Sequence, residues 1–134
     1  MNDNMQRITA RMREYATSML EAKDIEYTFH VDEAVKQIKL DMEARRDFFL
    51  IFKEAINNLA KYSNCKRAVI KIETYDYTMV MKIQDDGVGF NVNDVDNGNG
   101  LTNMNKRAKS LNAKLLIDSQ PGVGTKIMLE LIFA

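Results

Sequence analysis

The sequence predicts an α/β (α+β) chain: a two-layer sandwich in which three helices cover one face of a mixed, mostly antiparallel sheet of about five strands. Three observations predict it. Hydrophobic periodicity alternates between helical and strand spacing in the order helix, strand, long helix, strands, loop, helix, strands. Pro121 is the one proline and no linker-like stretch divides the chain, so 1–134 reads as one domain. Hydrophobic residues make up 46% of 134 residues, enough to bury a core.

Ile8, Met12, Tyr15 and Met19 recur at helical spacing among charges, which predicts an amphipathic N-terminal helix within about 1–22, ending near Lys23. Ile25, Tyr27, Phe29 and Val31 alternate with Glu26, Thr28 and His30, the pattern of a half-buried strand. A short strand is expected around Ile38 and Leu40. Asp41 has the right chemistry to cap a long helix from Met42 to Tyr62. Ile51, Ala55, Leu59 and Tyr62 form a stripe on that helix expected to face the sheet. Ala68, Ile70 and Ile72 mark one strand and Met79, Met81 and Ile83 the next, with a hairpin link at Thr74–Tyr77. After an Asp-, Asn- and Gly-rich stretch from Asp85 to Asn99, a helix carries Leu101, Met104, Ala108 and Leu111 on one face. Strands at Lys114–Asp118 and Lys126–Phe133 close the chain around a Pro-Gly turn.

Composition narrows the function. Nineteen basic residues balance nineteen acidic ones, which argues against sequence-blind nucleic-acid binding. Cys65 is the only cysteine, so no disulfide framework exists and a reducing compartment is expected. No apolar run reaches the ~20 residues that span a bilayer. A soluble chain without membrane contact is expected.

The glycines carry the strongest signal. All six fall into Gly-x-Gly pairs: Gly87/Gly89, Gly98/Gly100 and Gly122/Gly124. The P-loop fingerprint is absent, and no third glycine completes the dinucleotide motif. A second signal lies on the long helix, where Glu54, Asn58 and Lys61 share one face. A carboxylate, an amide oxygen and an ammonium there suit Mg²⁺ and phosphates. The same three residues also fit an ordinary solvated face with a charge match seven residues apart.

Taken together, the motifs resemble the GHKL ATPase superfamily, which includes DNA gyrase, mismatch-repair proteins, large heat-shock chaperones and sensor histidine kinases. Residues Phe52 to Lys61 look like its N-box, Asp85-Asp86-Gly87-Val88-Gly89-Phe90 like its Asp-x-Gly-x-Gly box, Gly98-Asn99-Gly100-Leu101-Thr102-Asn103-Met104 like its glycine box, and Gly122-Val123-Gly124-Thr125 like its last box. The order fits across about residues 5–133. Glu54-Ala55-Ile56-Asn57-Asn58, followed by Gly98 to Met104 and Lys106-Arg107-Ala108, is similar to histidine kinases that partner helix-turn-helix response regulators. Lys61-Tyr62-Ser63 departs from the family's usual Lys-His-Ala.

The resemblance implies a Bergerat fold that binds ATP with Mg²⁺. It implies that Asp85 accepts a hydrogen bond from the adenine amino group, a role that suits an acceptor-only carboxylate. Thr125 would reach the base edge, and Gly87 and Gly89 would let backbone approach the nucleotide. Asn58 is the implied Mg²⁺ ligand, with Glu54 nearby as the group that polarises or holds the nucleophile. Lys61 would meet phosphate oxygens. Gly98, Gly100 and Leu101 would open a helix whose N-terminus suits phosphates, and 90–99 would form the ATP lid. Arg107 fits either a phosphate contact or a solvated helix position. The implied reaction is γ-phosphoryl transfer to a histidine on separate dimerisation helices of a membrane or cytoplasmic sensor, which then serves a response regulator. The domain itself is expected in the cytoplasm. The one histidine of this chain, His30, lies on the polar side of its strand and is not the expected acceptor. A free-standing serine kinase that restrains a sigma factor, and a nucleotide-binding module without transfer, are the alternative readings.

Overall fold

The computed structural model describes residues 4–90 and 101–133. Among them, α1 (Gln6–Glu21), β1 (Glu26–Val31), α2 (Glu33–Lys36), α3 (Met42–Tyr62), β2 (Arg67–Tyr75), β3 (Thr78–Asp85), α4 (Leu101–Ser110), β4 (Lys114–Gln120) and β5 (Gly124–Ile132) follow in order. The strands form one mixed sheet in the order β1-β2-β3-β5-β4. Only β1 and β2 run parallel, joined across the long excursion through α3; the other pairs are antiparallel. Helices pack on one face of the sheet, the layer arrangement that the periodicity predicts.

Alternation decides which face is covered. On β2, Ala68, Ile70 and Ile72 are buried while Arg67, Val69 and Lys71 are exposed. Opposite residues of antiparallel strands share a face, so Met81, Leu129 and Leu115 form one inward row. Ile83, Ile127 and Ile117 form the next.

The long helix begins where its cap predicts. The Asp41 carboxylate accepts from the Ala44 N–H at 2.8 Å, supplying one of the first-turn donors with a partner. Phe48, Ile51, Phe52, Ala55, Ile56 and Leu59 of α3 are buried against the sheet and α1. Tyr62 breaks the expected stripe: it is 62% exposed, because the helix ends there at the rim of the layer. On α1 the buried line is Ile8, Met12, Ala16 and Leu20, at a strict spacing of four. Tyr15 and Met19 flank it and are only partly covered.

The strand expected around Ile38 and Leu40 does not form. Glu33–Lys36 makes a single helical turn, and the chain beyond it contributes only an isolated bridge between Asn4 and Lys39. Val35 and Ile38 still reach the core, so their apolar spacing records burial and not a ladder. The β2–β3 hairpin turns tightly at Asp76, whose φ of +55° is a conformation that Asp tolerates better than most residues.

Candidate functional site

Two rows of inward isoleucines and leucines end, at one edge of the sheet, in a polar row. Asp85 on β3 pairs with Thr125 on β5, and Thr125 pairs with Ser119 on β4. Asp85 and Thr125 of this row, with Ile83 and Ile127 of the next, floor a cavity of about 210 Å³. Ala55, Asn58, Leu59, Tyr62 and Ser63 from the last turns of α3 form one wall; Gly89, Phe90 and Leu101 complete the lining among the described residues. The volume falls below the ~300–1,000 Å³ of a site that encloses a whole ligand. The apolar slot with one buried carboxylate suits a flat heterocycle, with the rest of the ligand lying outside it.

Asp85 is 8% exposed. Burial pushes its carboxyl pKa above the usual carboxylate range, and the neighbouring charge of Asp86 adds to the rise. Backbone N–H groups of Gly87 and Thr125 oppose it, the first at 2.8 Å from Oδ1. Asp86 does something different although it is adjacent. Its Oδ1 accepts from the Lys66 and Arg67 N–H groups at 2.9 and 3.0 Å, and it holds the start of β2 in place.

The glycines of the Asp-x-Gly-x-Gly segment pack closely against protein backbone. A Cβ on Gly87 would collide with the carbonyl of Ser63 at the end of α3. A Cβ on Gly89, whose φ is +66°, would collide with the carbonyl of Gln120. The segment can then be tied on both sides. Val88 N–H donates to Ser63 O at 2.7 Å, and Gly122 N–H donates to Val88 O at 2.6 Å. Gly89 lines the cavity, whereas Gly87 does not.

The face of α3 is divided. Asn58 lines the cavity; Glu54, one turn earlier, is half-buried and Lys61 is exposed, and neither belongs to its wall. Asn57 turns the other way, and its Oδ1 accepts the Tyr15 hydroxyl of α1 at 2.8 Å. Leu101 and Thr125 both lie in the cavity lining. Gly98, Gly100 and 91–99 of the expected lid lie outside the described residues. Arg107, partly exposed, is not in the cavity lining: its guanidinium pairs with the buried Asp47 of α3 at 3.2 Å and ties α4 to that helix.

Sequence reasoning missed Ser119, Ser63 and Tyr62. Ser119 was readable only by continuing the inward alternation of Leu115 and Ile117 by one step. Ser63, the departure from the family's usual residue, ends α3: its hydroxyl donates to Leu59 O and accepts from Cys65 N–H.

Comparison with known proteins agrees with this geometry. The sequence pattern of the histidine kinase-, DNA gyrase B- and HSP90-like ATPases matches residues 43–134. Sensor protein VraS of Staphylococcus saprophyticus is 34% identical over 94 residues, covering 69% of this chain and 27% of that protein. VraS of Staphylococcus aureus is 33% identical over 94 residues with the same coverage. The chain thus spans about a quarter of the length of these curated relatives (27%). Among solved structures, the catalytic domain of histidine kinase ThkA superposes with a TM-score of 0.78 at 13% identity, covering 97% of this chain and 94% of that one. The Acinetobacter baumannii histidine kinase AdeS gives a TM-score of 0.78 at 16% identity, covering 97% of this chain and 65% of that one. These structures show the fold; the profile and the VraS proteins show the family. With the N-box on α3 and a carboxylate-floored slot on a mixed sheet, the chain belongs to the histidine kinase-, DNA gyrase B- and HSP90-like ATPases, as an ATP-binding domain of the sensor histidine kinase kind.

Proposed function

We propose that this domain holds Mg²⁺-ATP and presents its γ-phosphoryl group to a histidine on separate dimerisation helices of a larger sensor kinase, which then passes the group to a response regulator. The observation that carries the reading is the row Asp85–Thr125 at the floor of an apolar slot, with Asn58 of α3 on its wall. In this reading the base enters the slot and Asp85 accepts from its exocyclic amino group. Thr125 meets the base edge beside Asp85, and Ile83 and Ile127 cover the ring. Gly87 and Gly89 keep the Asp85 loop close to its supports. The phosphates run toward the N-terminus of α4, where Leu101 begins the helix and Gly98 and Gly100 precede it. Lys61, exposed at the end of α3, meets phosphate oxygens.

Asn58 and Glu54 fit a hard divalent ion that keeps waters and phosphate oxygens in its shell, since they offer oxygen donors one turn apart on one face. Bound there, Mg²⁺ neutralises phosphate charge. Glu54 is the group that holds or polarises the incoming nucleophile. Phosphoryl transfer asks the protein mainly for alignment and charge compensation, which such a cradle provides. The parent protein is proposed to keep this domain on the cytoplasmic side, where ATP is found.

The test separates binding from chemistry. Glu54→Gln is expected to leave ADP affinity nearly intact and to slow transfer to an added fragment carrying the dimerisation helices. Asn58→Ala is expected to lose most of the Mg²⁺ dependence of ATP binding. Titration with a fluorescent ATP analogue, with and without Mg²⁺, reads both. Equal affinity for GTP, or an Mg²⁺ dependence unchanged in Asn58→Ala, would overturn these assignments.

A further inference from the structure

Ser119 lies at the end of the row Asp85–Thr125–Ser119 and is 8% exposed. Three polar atoms surround its hydroxyl. The Phe90 N–H lies at 2.9 Å, the Thr125 hydroxyl at 2.7 Å and the Gly124 carbonyl oxygen at 3.3 Å. A serine hydroxyl carries one proton and two lone pairs. Phe90 N–H can only donate, so one lone pair is spent on it. The Gly124 carbonyl can only accept. All three contacts are hydrogen bonds in a single arrangement: Ser119 donates to Gly124 and accepts from both Phe90 and Thr125. The opposite sense, with Ser119 donating to Thr125, leaves two oxygens 3.3 Å apart with no proton between them.

We infer that Ser119 is a specificity-determining residue: by taking the Thr125 proton it makes Thr125 an acceptor toward the cavity, so that Asp85 and Thr125 together select a purine that carries an amino group, and not a keto oxygen, at the ring position they face. The inference rests on the proposed adenine-binding role of the slot and deepens it. Neither member of the pair then welcomes a keto oxygen. The ionised carboxylate of Asp85 has no proton to give, and Thr125 has directed its own away. Without the Ser119 hydroxyl, the Thr125 proton is free to rotate into the cavity, and Thr125 becomes a donor to a keto group. Selection of amino over keto purines would thus depend on a side chain that does not itself line the cavity.

ITP is the informative probe, because it places a keto oxygen where ATP has the amino group and lacks the extra amino group of GTP. Affinities for ATP and ITP are measured on the 134-residue chain by displacement of a fluorescent ADP analogue, in Mg²⁺ buffer. The unchanged chain is expected to prefer ATP. In Ser119→Ala the ATP:ITP ratio is expected to fall by about tenfold, the size of one hydrogen bond gained by ITP. Ser119→Thr, which keeps a hydroxyl, should retain the ratio, and the Ser119→Ala/Thr125→Val double variant should lose the gain in ITP binding. A merely structural role would weaken both nucleotides alike and leave the ratio unmoved. Should Ser119→Ala fail to fold, Thr125→Val decides alone: ATP affinity should fall with ITP affinity unchanged. A ratio unmoved in Ser119→Ala, or in Thr125→Val in that event, overturns the inference while ATP binding that Asp85→Asn weakens keeps the functional reading. Absence of ATP binding by the unchanged chain overturns both.

Discussion

Asp85 combines burial with an acceptor role, and the two pull against each other. Burial raises its pKa, so the free protein takes up a proton there at higher pH than an ordinary carboxyl does. An amino group in the slot needs the ionised form. Nucleotide affinity should therefore be flat above the raised pKa and fall by about tenfold per pH unit below it. The unliganded fold shows the opposite sign. Its folded-state pKa exceeds the unfolded value, so this carboxyl's contribution to stability is lost as pH rises through the window between them. Asp85→Asn should remove this pH dependence and weaken ATP by roughly tenfold to a hundredfold, since a charge-assisted bond is worth ~1.5–3 kcal/mol. Calorimetric titration across the acid range checks it. A variant that keeps the parent's pH profile would assign the titration to another group.

At the scale of elements, the fit of the loop after β3 against the end of α3 and the β4–β5 turn shapes the slot. Gly89 and Gly122 both have positive φ, +66° and +81°. They differ in surroundings: a Cβ on Gly89 would meet the Gln120 carbonyl, whereas one on Gly122 would meet nothing within 4 Å. Alanine at either position bears the cost of a left-handed residue, about 1–2 kcal/mol. Gly89→Ala should cost about 1–3 kcal/mol more, because backbone must move to admit the methyl group. Denaturant melts of the two variants measure the difference. Equal losses would mean that the β4–β5 turn yields freely to the loop.

At the scale of the molecule, the sheet separates the one histidine from the slot. His30 lies on β1, at the edge of the sheet, with its ring bonded to Asp32 at 2.8 Å on the exposed face. The slot opens on the helix-covered face, at the ends of β3 and β5. β1 and β3 are two strand spacings apart, about 10 Å, before the thickness of the sheet is added. In-line transfer needs reacting atoms about 3–3.5 Å apart, so this chain incubated alone with γ-labelled ATP should show no label on His30. Acid-labile, base-stable label that disappears in His30→Ala would contradict that outcome. Label that appears only with a fragment carrying the dimerisation helices agrees with it.

Local chemistry was legible in the sequence. Asp41 and the spacing of Ile51, Ala55 and Leu59 are enough to start α3 and orient it, because capping and the helical repeat act within a few residues. Alternation gives β2 and β3 and the turn between them for the same reason. The four boxes named the family, and Asp85, Asn58, Leu101 and Thr125 do gather at one cavity. What the sequence left open is non-local. No local pattern says that β1 runs parallel to β2, or that β5 inserts between β3 and β4. Yet that insertion sets Asp85, Thr125 and Ser119 in one row and makes an unremarkable serine a partner of the cavity-lining threonine. The backbones that Gly87 and Gly89 approach are likewise distant in the chain. By itself the sequence determined the elements apart from the stretch 33–40, most of their inward faces and the family, since those follow from nearest neighbours and spacing. Tertiary structure alone decided strand register, which glycine meets which carbonyl, and which hydroxyl faces which, because hydrogen bonds and burial join residues that the chain keeps far apart.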